Sequence, residues 1–229
     1  MAGKAHFSPA LFKFFRELRK NNEREWFQAH KQRYESEVRD PLLRFISDFA
    51  PLLEKISPNF LADPRPVGGS MFRIYRDTRF GKDKSPYKTA AGVQFRHESG
   101  KDVHAPGFYL HLGPGEVFAG TGLWKPDSPT AGKIRDAIVA KPAAWRRASS
   151  HDTLRGICNL EGETLKRPPR GYDPQHPLIE DLKRKDFLAM TRFSEKDACG
   201  GDFLQRFAEV CRTAAPFTRF LTTAVGLPW

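Results

Sequence analysis

The sequence predicts an α+β fold, a mostly antiparallel central sheet flanked by N-terminal and C-terminal helices. Three observations predict it. Apolar residues recur at helical spacing from about residue 8 to residue 56. The period changes to two between about 72 and 124. Helical spacing then returns and dominates the C-terminal part. Helices, then consecutive strands, then helices again is the order of an α+β domain.

The elements follow in chain order. Ser8-Pro9 is a helix cap followed by proline at the first helical position. Leu11, Phe14, Phe15 and Leu18 then share one face. Asn21-Asn22 breaks this helix, and Asn22 is placed to cap the next. From Glu23 a longer helical pattern runs to about Ile56. Trp26, Phe27, Tyr34, Val38, Leu42, Phe45, Ile46, Phe49 and Leu53 lie near one stripe, and Pro41 and Pro51 are expected to kink or divide it. Residues 57–70, rich in Pro, Gly and Asp, read as a loop.

Phe72 and Ile74 alternate with Arg73 and Tyr75, as in a half-buried strand. Ala90 to His97 alternates too. Gly107 to Leu112 puts Phe108, Leu110 and Leu112 on one face, with Tyr109 and His111 on the other. Gly113-Pro-Gly115 turns the chain, and Val117 to Trp124 returns, so residues 107–124 form a β-hairpin. Ser128-Pro129 opens a helix through Ile134, Ile138 and Val139, and Pro142 starts another with Trp145. Residues 150–175 read as a mixed basic loop, His176 to Phe187 as a short helix and Leu188 to Phe193 as a strand. Phe203 to about Val225 reads as one C-terminal helix. No repeat or linker interrupts this order, so one domain over 1–229 is expected.

A chain of 229 residues is long enough to bury a full core without a metal or disulfide. Its formal net charge of +11 points to an anionic partner such as nucleic acid or a phosphorylated ligand. Cys158, Cys199 and Cys211 are odd in number and far apart, which argues against a disulfide framework or a zinc site and for a cytoplasmic protein. No signal-peptide stretch or membrane-length apolar run is present, so no membrane span is expected.

The most informative segment is residues 71–88, Met-Phe-Arg-Ile-Tyr-Arg-Asp-Thr-Arg-Phe-Gly-Lys-Asp-Lys-Ser-Pro-Tyr-Lys. Arg73, Arg76, Arg79, Lys82, Lys84 and Lys88 alternate with the rings of Phe72, Tyr75, Phe80 and Tyr87. A solvated charge run needs no rings, and a core strand does not tolerate the charges. A site wall satisfies both, with guanidinium forks matched to phosphate or carboxylate. As a strand, the segment would set Arg73 beside Tyr75 on a polar sheet face shared with Gln94, Arg96, Tyr109 and His111. The plainer alternative is an exposed face carrying Arg–Asp pairs.

Within the segment, Asp77 is placed to orient the arginines, and Asp83 to close the loop. Two carboxylates with Lys84 would also serve metal-assisted phosphodiester hydrolysis, although no metal site is predicted. Ser85 can cap a turn whose amides face an anion, or simply leave Lys88 exposed in a turn. His97, His104 and His111 lie on or between adjacent strands, but alternation puts His97 and His111 on opposite faces. His111 beside Tyr109 is the candidate general base or phosphate contact. Gly120 and Gly122 permit close approach of a ligand, and Trp124 offers a ring for stacking. Lys166–Arg170 and Lys183–Lys185 read as solvated faces, the alternative being an extension of an electrostatic track.

The spacing R-x-x-R-D-x-R-F-x-x-D-K-x-P-Y-K, from Arg73 to Lys88, resembles the signature of domain-of-unknown-function family 2461. Asn22 with Glu25-Trp26-Phe27, Gly107-Phe-Tyr109-Leu-His111, Gly120-Thr-Gly122-Leu-Trp124, and Gly171-Tyr172 with His176-Pro177 are similar to it as well. The resemblance covers nearly the whole chain. It implies a widespread cytoplasmic protein of about this length and no particular activity or cofactor.

The sequence therefore predicts a binder of a phosphate-bearing ligand, with nucleic acid the leading class. Arg73, Arg76, Arg79, Lys82 and Lys84 would meet phosphates, with Lys88 also in the ligand-binding set and Tyr75, Tyr87, Tyr109 and Trp124 stacking or hydrogen bonding. The alternative is a hydrolase or transferase acting on a phosphodiester or phosphorylated small molecule through Asp77, Asp83, Lys84 and His111. In a third reading the segment is a buried ion-pair network, and losing Arg76 would strand a carboxylate.

Overall fold

The computed structural model describes residues 3–79, 82–99 and 105–229. Its centre is a six-stranded antiparallel sheet in the order β1-β2-β3-β4-β6-β5. The strands are β1 (Phe60–Leu61), β2 (Ala91–His97), β3 (Gly107–Gly113), β4 (Glu116–Leu123), β5 (Asn159–Glu161) and β6 (Phe187–Phe193). The helices are α1 (Pro9–Lys20), α2 (Arg24–Ala29), α3 (Lys31–Tyr34), α4 (Asp40–Ile56), α5 (Ser128–Ala140), α6 (Pro142–Ser150), α7 (Asp152–Ile157), α8 (Ile179–Leu182), α9 (Glu195–Ala198), α10 (Phe203–Thr213) and α11 (Ala215–Ala224). The α+β class follows directly. No helix among the described residues is long and apolar enough to cross a membrane.

Alternation gives the sheet one apolar face. Val93 and Phe95 of β2, Phe108, Leu110 and Leu112 of β3, and Val117, Ala119 and Leu123 of β4 are buried on it. Phe49 of α4 and Phe207 of α10 lie against Phe95, with ring centroids 4.6 and 5.8 Å away. Trp145 of α6 packs against Phe187 of β6 and Phe217 of α11. His97 also lies on this face. Its Nδ1 accepts from the Ser99 amide and its Nε2 donates to the Pro228 carbonyl, so both nitrogens are satisfied by backbone.

Several elements differ from the expectation, each for a local reason. The stripe from Glu23 to Ile56 divides at His30, which stacks on Trp26 at 4.0 Å, and passes through a π-helical turn, Glu35–Arg39. Pro41 stands just after that π-helical turn, in the first turn of α4, and Pro51 is carried within α4. The C-terminal helix is two helices, because Pro216 starts α11 just after Ala214. The predicted loop 150–175 contains α7, capped by the His151 ring, and the edge strand β5. Only Ile179–Leu182 of the predicted 176–187 helix is α-helical.

Gly122 has φ +120°, and a Cβ there would lie 1.9 Å from the Phe187 carbonyl oxygen. The glycine serves the approach of β6, not of a ligand. Close by, the buried Asp186 carboxylate accepts from the Lys125 and Glu163 amides at 2.8 and 2.9 Å. Asp186→Asn faces one of those donors with another donor and is expected to cost about 2 kcal/mol in denaturant unfolding.

Candidate functional site

Residues 71–76 and 86–93 form a narrow ribbon rather than a continuous strand. Met71 bridges Val93 and Tyr75 bridges Tyr87. The Phe72 amide donates to Gly92, Lys88 to Ile74, and Arg76 to Pro86. Asn22 does not cap α2, whose N-cap is Glu23. Its amide instead clamps the ribbon, donating to the Tyr87 carbonyl at 3.0 Å and accepting from the Tyr87 N–H at 3.1 Å. Phe27 stacks on the Tyr87 ring at 4.1 Å.

The ribbon turns Phe72, not Arg73, toward the polar face of the sheet. Phe72 lies 6.0 Å from Tyr109, while the Arg73 side chain is exposed. Gly92 makes this possible, since a Cβ there would sit 2.6 Å from the Tyr109 hydroxyl and 3.0 Å from the Phe72 ring. Between ribbon and sheet opens a cleft of about 490 Å³. Its walls are Arg19 at the end of α1, Phe72, Arg76, Tyr87 and Lys88 of the ribbon, Tyr109 and His111 of β3, and Glu116 of β4.

On the floor, Nδ1 of His111 lies 3.3 Å from the Tyr109 hydroxyl, and Nε2 lies 3.8 Å from Glu116. The imidazole stacks on Phe118 at 4.7 Å. Burial pushes the His111 pKa down, which Glu116 partly offsets. Burial, aided by Glu116, pushes the Tyr109 phenol up to about 12. At neutral pH the phenol therefore keeps its proton and donates to a neutral imidazole, whose Nε2–H faces the carboxylate.

Lys88 is the half-buried cation of the wall. Its amine donates to the Arg73 carbonyl at 2.8 Å and lies 5.4 Å from the Phe72 ring centroid. Burial first, and the Arg73 charge second, lower its pKa. Among the described residues no carboxylate lies within ion-pair distance of it.

The ribbon's tip carries local pairs. Asp77 holds Arg79 through its backbone amide and guanidinium, and those bonds hold the Asp77 carboxyl far below the usual carboxylate range. Asp83 accepts from the Ser85 hydroxyl and amide and pairs with Arg76, and the Ser85 bonds lead in lowering its pKa. Lys84 donates to the Thr78 carbonyl, and Lys82 is exposed. Phe80 and His104 lie outside the described residues.

The structure thus gathers Arg76, Tyr87, Lys88, Tyr109 and His111 around one cleft. Asp77, Arg79, Lys82, Asp83 and Lys84 do not line it, so the suggested set of Asp77, Asp83, Lys84 and His111 is not assembled there. The carboxylates of the segment are exposed, so no buried ion-pair network is built from them. Tyr75 is 49% exposed and Trp124 57% exposed. Trp124 lies beyond the far end of β4, about 20 Å along the strand from Phe118, and meets Lys125. No group of three or more His, Cys, Asp or Glu suited to a metal ion occurs among the described residues. Sequence reasoning missed Arg19 and Glu116. A cation in the last turn of α1 and an acid beside a turn carry no signal until the fold brings them together.

The fold and site define a class: an α+β protein whose antiparallel sheet carries, on its polar face, a cleft walled by cations and rings. Within it, the chain belongs to the family described as conserved hypothetical protein (DUF2461), whose model matches residues 10–220. No curated protein matches the chain.

Proposed function

We propose that the cleft binds a phosphate-bearing ligand. The observation that carries this reading is Lys88, a half-buried ammonium with no carboxylate partner among the described residues, on a cleft that Arg19 and Arg76 also line. A desolvated cation without a counter-ion is costly unless an anion completes its surroundings. The rings of Phe72 and Tyr87 add flat apolar walls. The cleft's volume suits one nucleotide or a small phosphorylated metabolite. Nucleic acid is the first class to test, because the chain carries +11 and exposes Arg73, Arg79, Lys82 and Lys84 on the segment that supplies one wall of the cleft. The unpaired Cys158, Cys199 and Cys211 fit a cytoplasmic setting, with 1–229 acting as one domain.

The test is anisotropy of labelled single-stranded DNA, duplex DNA and RNA at two salt concentrations, with inorganic phosphate and mononucleotides as competitors. Binding should weaken steeply with salt. The double variant Arg19→Glu/Arg76→Glu should lose at least about a hundredfold in affinity, two charge-assisted contacts being removed. No binding of any oligonucleotide, nucleotide or phosphate at low salt overturns the reading. A hydrolase or transferase is the second reading, favoured by the contact of Tyr109 with His111.

A further inference from the structure

We propose that Lys88 is an imine-forming lysine and that the cleft takes a phosphorylated carbonyl compound. This rests on the phosphate reading above and names the ligand's second functional group. Imine chemistry needs an amine that can lose its proton, a nearby acid and base, and a hold on the substrate. Lysines suited to it are desolvated against apolar surface or set beside another cation. Lys88 meets both conditions, with its Nζ 5.4 Å from the Phe72 ring centroid and the positive charge of Arg73 acting on it. Among the described residues no carboxylate pairs with it to hold the proton on. Lys183 and Lys185 differ, each pairing with a glutamate at 3.0 Å.

The rest of the cleft supplies what the reaction requires. With the phosphate on Arg19 and Arg76, the carbonyl lies toward the sheet floor, where Tyr109, His111 and Glu116 line the same space. The neutral amine adds to the carbonyl carbon, and the carbonyl oxygen takes a proton from the Tyr109 phenol, which turns to it from His111. The phenolate takes a proton back from the nitrogen and gives it to the hydroxyl, which leaves as water, and the nitrogen's last proton returns to the phenolate. The balance is one carbonyl and one amine giving one imine and one water, with no oxidant or reductant. Two sources share this chemistry: a small sugar phosphate, and the aldehyde of an abasic nucleotide flanked by phosphates in DNA.

The experiment is borohydride trapping on the full chain followed by peptide mass spectrometry. Glyceraldehyde 3-phosphate is compared with glyceraldehyde, and an oligonucleotide carrying an abasic site with its intact counterpart. Lys88 should be the dominant modified lysine, trapped at least about a hundredfold faster by the phosphorylated aldehyde, the ratio two charge-assisted phosphate contacts provide. Lys88→Arg, which keeps the charge and a donor to the Arg73 carbonyl, should abolish trapping at this position. Preference for the abasic oligonucleotide, or for the sugar phosphate, identifies the source. If modification spreads evenly over exposed lysines while phosphate or oligonucleotide still binds, the imine proposal is overturned and the phosphate reading survives. If glyceraldehyde traps Lys88 as fast as its phosphate, both the phosphate half of this proposal and the reading beneath it fail.

Discussion

Phe49→Ala is expected to destabilise the protein by about 3–5 kcal/mol, the range for deleting a fully buried aromatic ring. Phe49 is 0% exposed. It is the joint of three elements: from α4 its ring meets Phe95 of β2 at 4.6 Å and Phe207 of α10 at 4.9 Å, and Phe45 follows one turn earlier at 6.3 Å. Three aromatic neighbours cannot all shift to fill the space without leaving their own partners, so most of the cavity should persist. In a chain of this size each kcal/mol lowers the melting temperature by roughly 2–4 °C, so a fall of about 10 °C is expected. Phe49→Leu keeps much of the volume and should cost less than half as much. A denaturant midpoint for Phe49→Ala close to that of the parent would contradict this packing.

That joint was legible in the sequence, since Phe45, Phe49 and Leu53 stand at helical spacing and Val93 and Phe95 at strand spacing. The signals that worked were periodicities sustained over several turns or pleats. Short elements escaped because few residues express a period: β1 has two residues and β5 three. The capping box of α9, Ser194 with Asp197, was written in the sequence but covers one turn only. The division at Pro216 was available too, and was outweighed by the apolar spacing on either side.

The segment 71–88 shows where local reading stops. Its density of rings and cations marked it, and it does form one wall of the cleft. Alternation alone put Arg73 on the polar sheet face, but the isolated bridges at Met71 and Tyr75 let the ribbon turn, and Phe72 takes that place. Asp77 was expected to orient the arginines as a group. It holds Arg79, while Arg76 goes to Asp83. Lys88, which reads equally well as an exposed turn lysine, is half-buried only because Phe72 and the Arg73 carbonyl come to it through the ribbon. Such pairings depend on sequence-distant backbone and have no local signature.

Asn22 connects that ribbon to the helical layer, and Asn22→Ala should disable the site as well as weaken the fold. The substitution removes the partners of both the N–H and the C=O of Tyr87, a buried residue, and should cost roughly 2–3 kcal/mol. Tyr87 is the neighbour of Lys88, and the Lys88 and Arg76 amides close the ribbon on Ile74 and Pro86. If the clamp is what orders these bonds, hydrogen exchange at the Arg76 and Lys88 amides should accelerate beyond the global change, and affinity for a phosphorylated probe should fall about tenfold or more. Asn22→Asp separates the two bonds. Its carboxylate still accepts from the Tyr87 N–H but cannot donate to the carbonyl, so an intermediate loss is expected. Protection at Arg76 and Lys88 that simply follows global stability in Asn22→Ala would mean that the stacking of Phe27 on Tyr87 holds the ribbon by itself. The asparagine would then matter to the fold and not to the cleft.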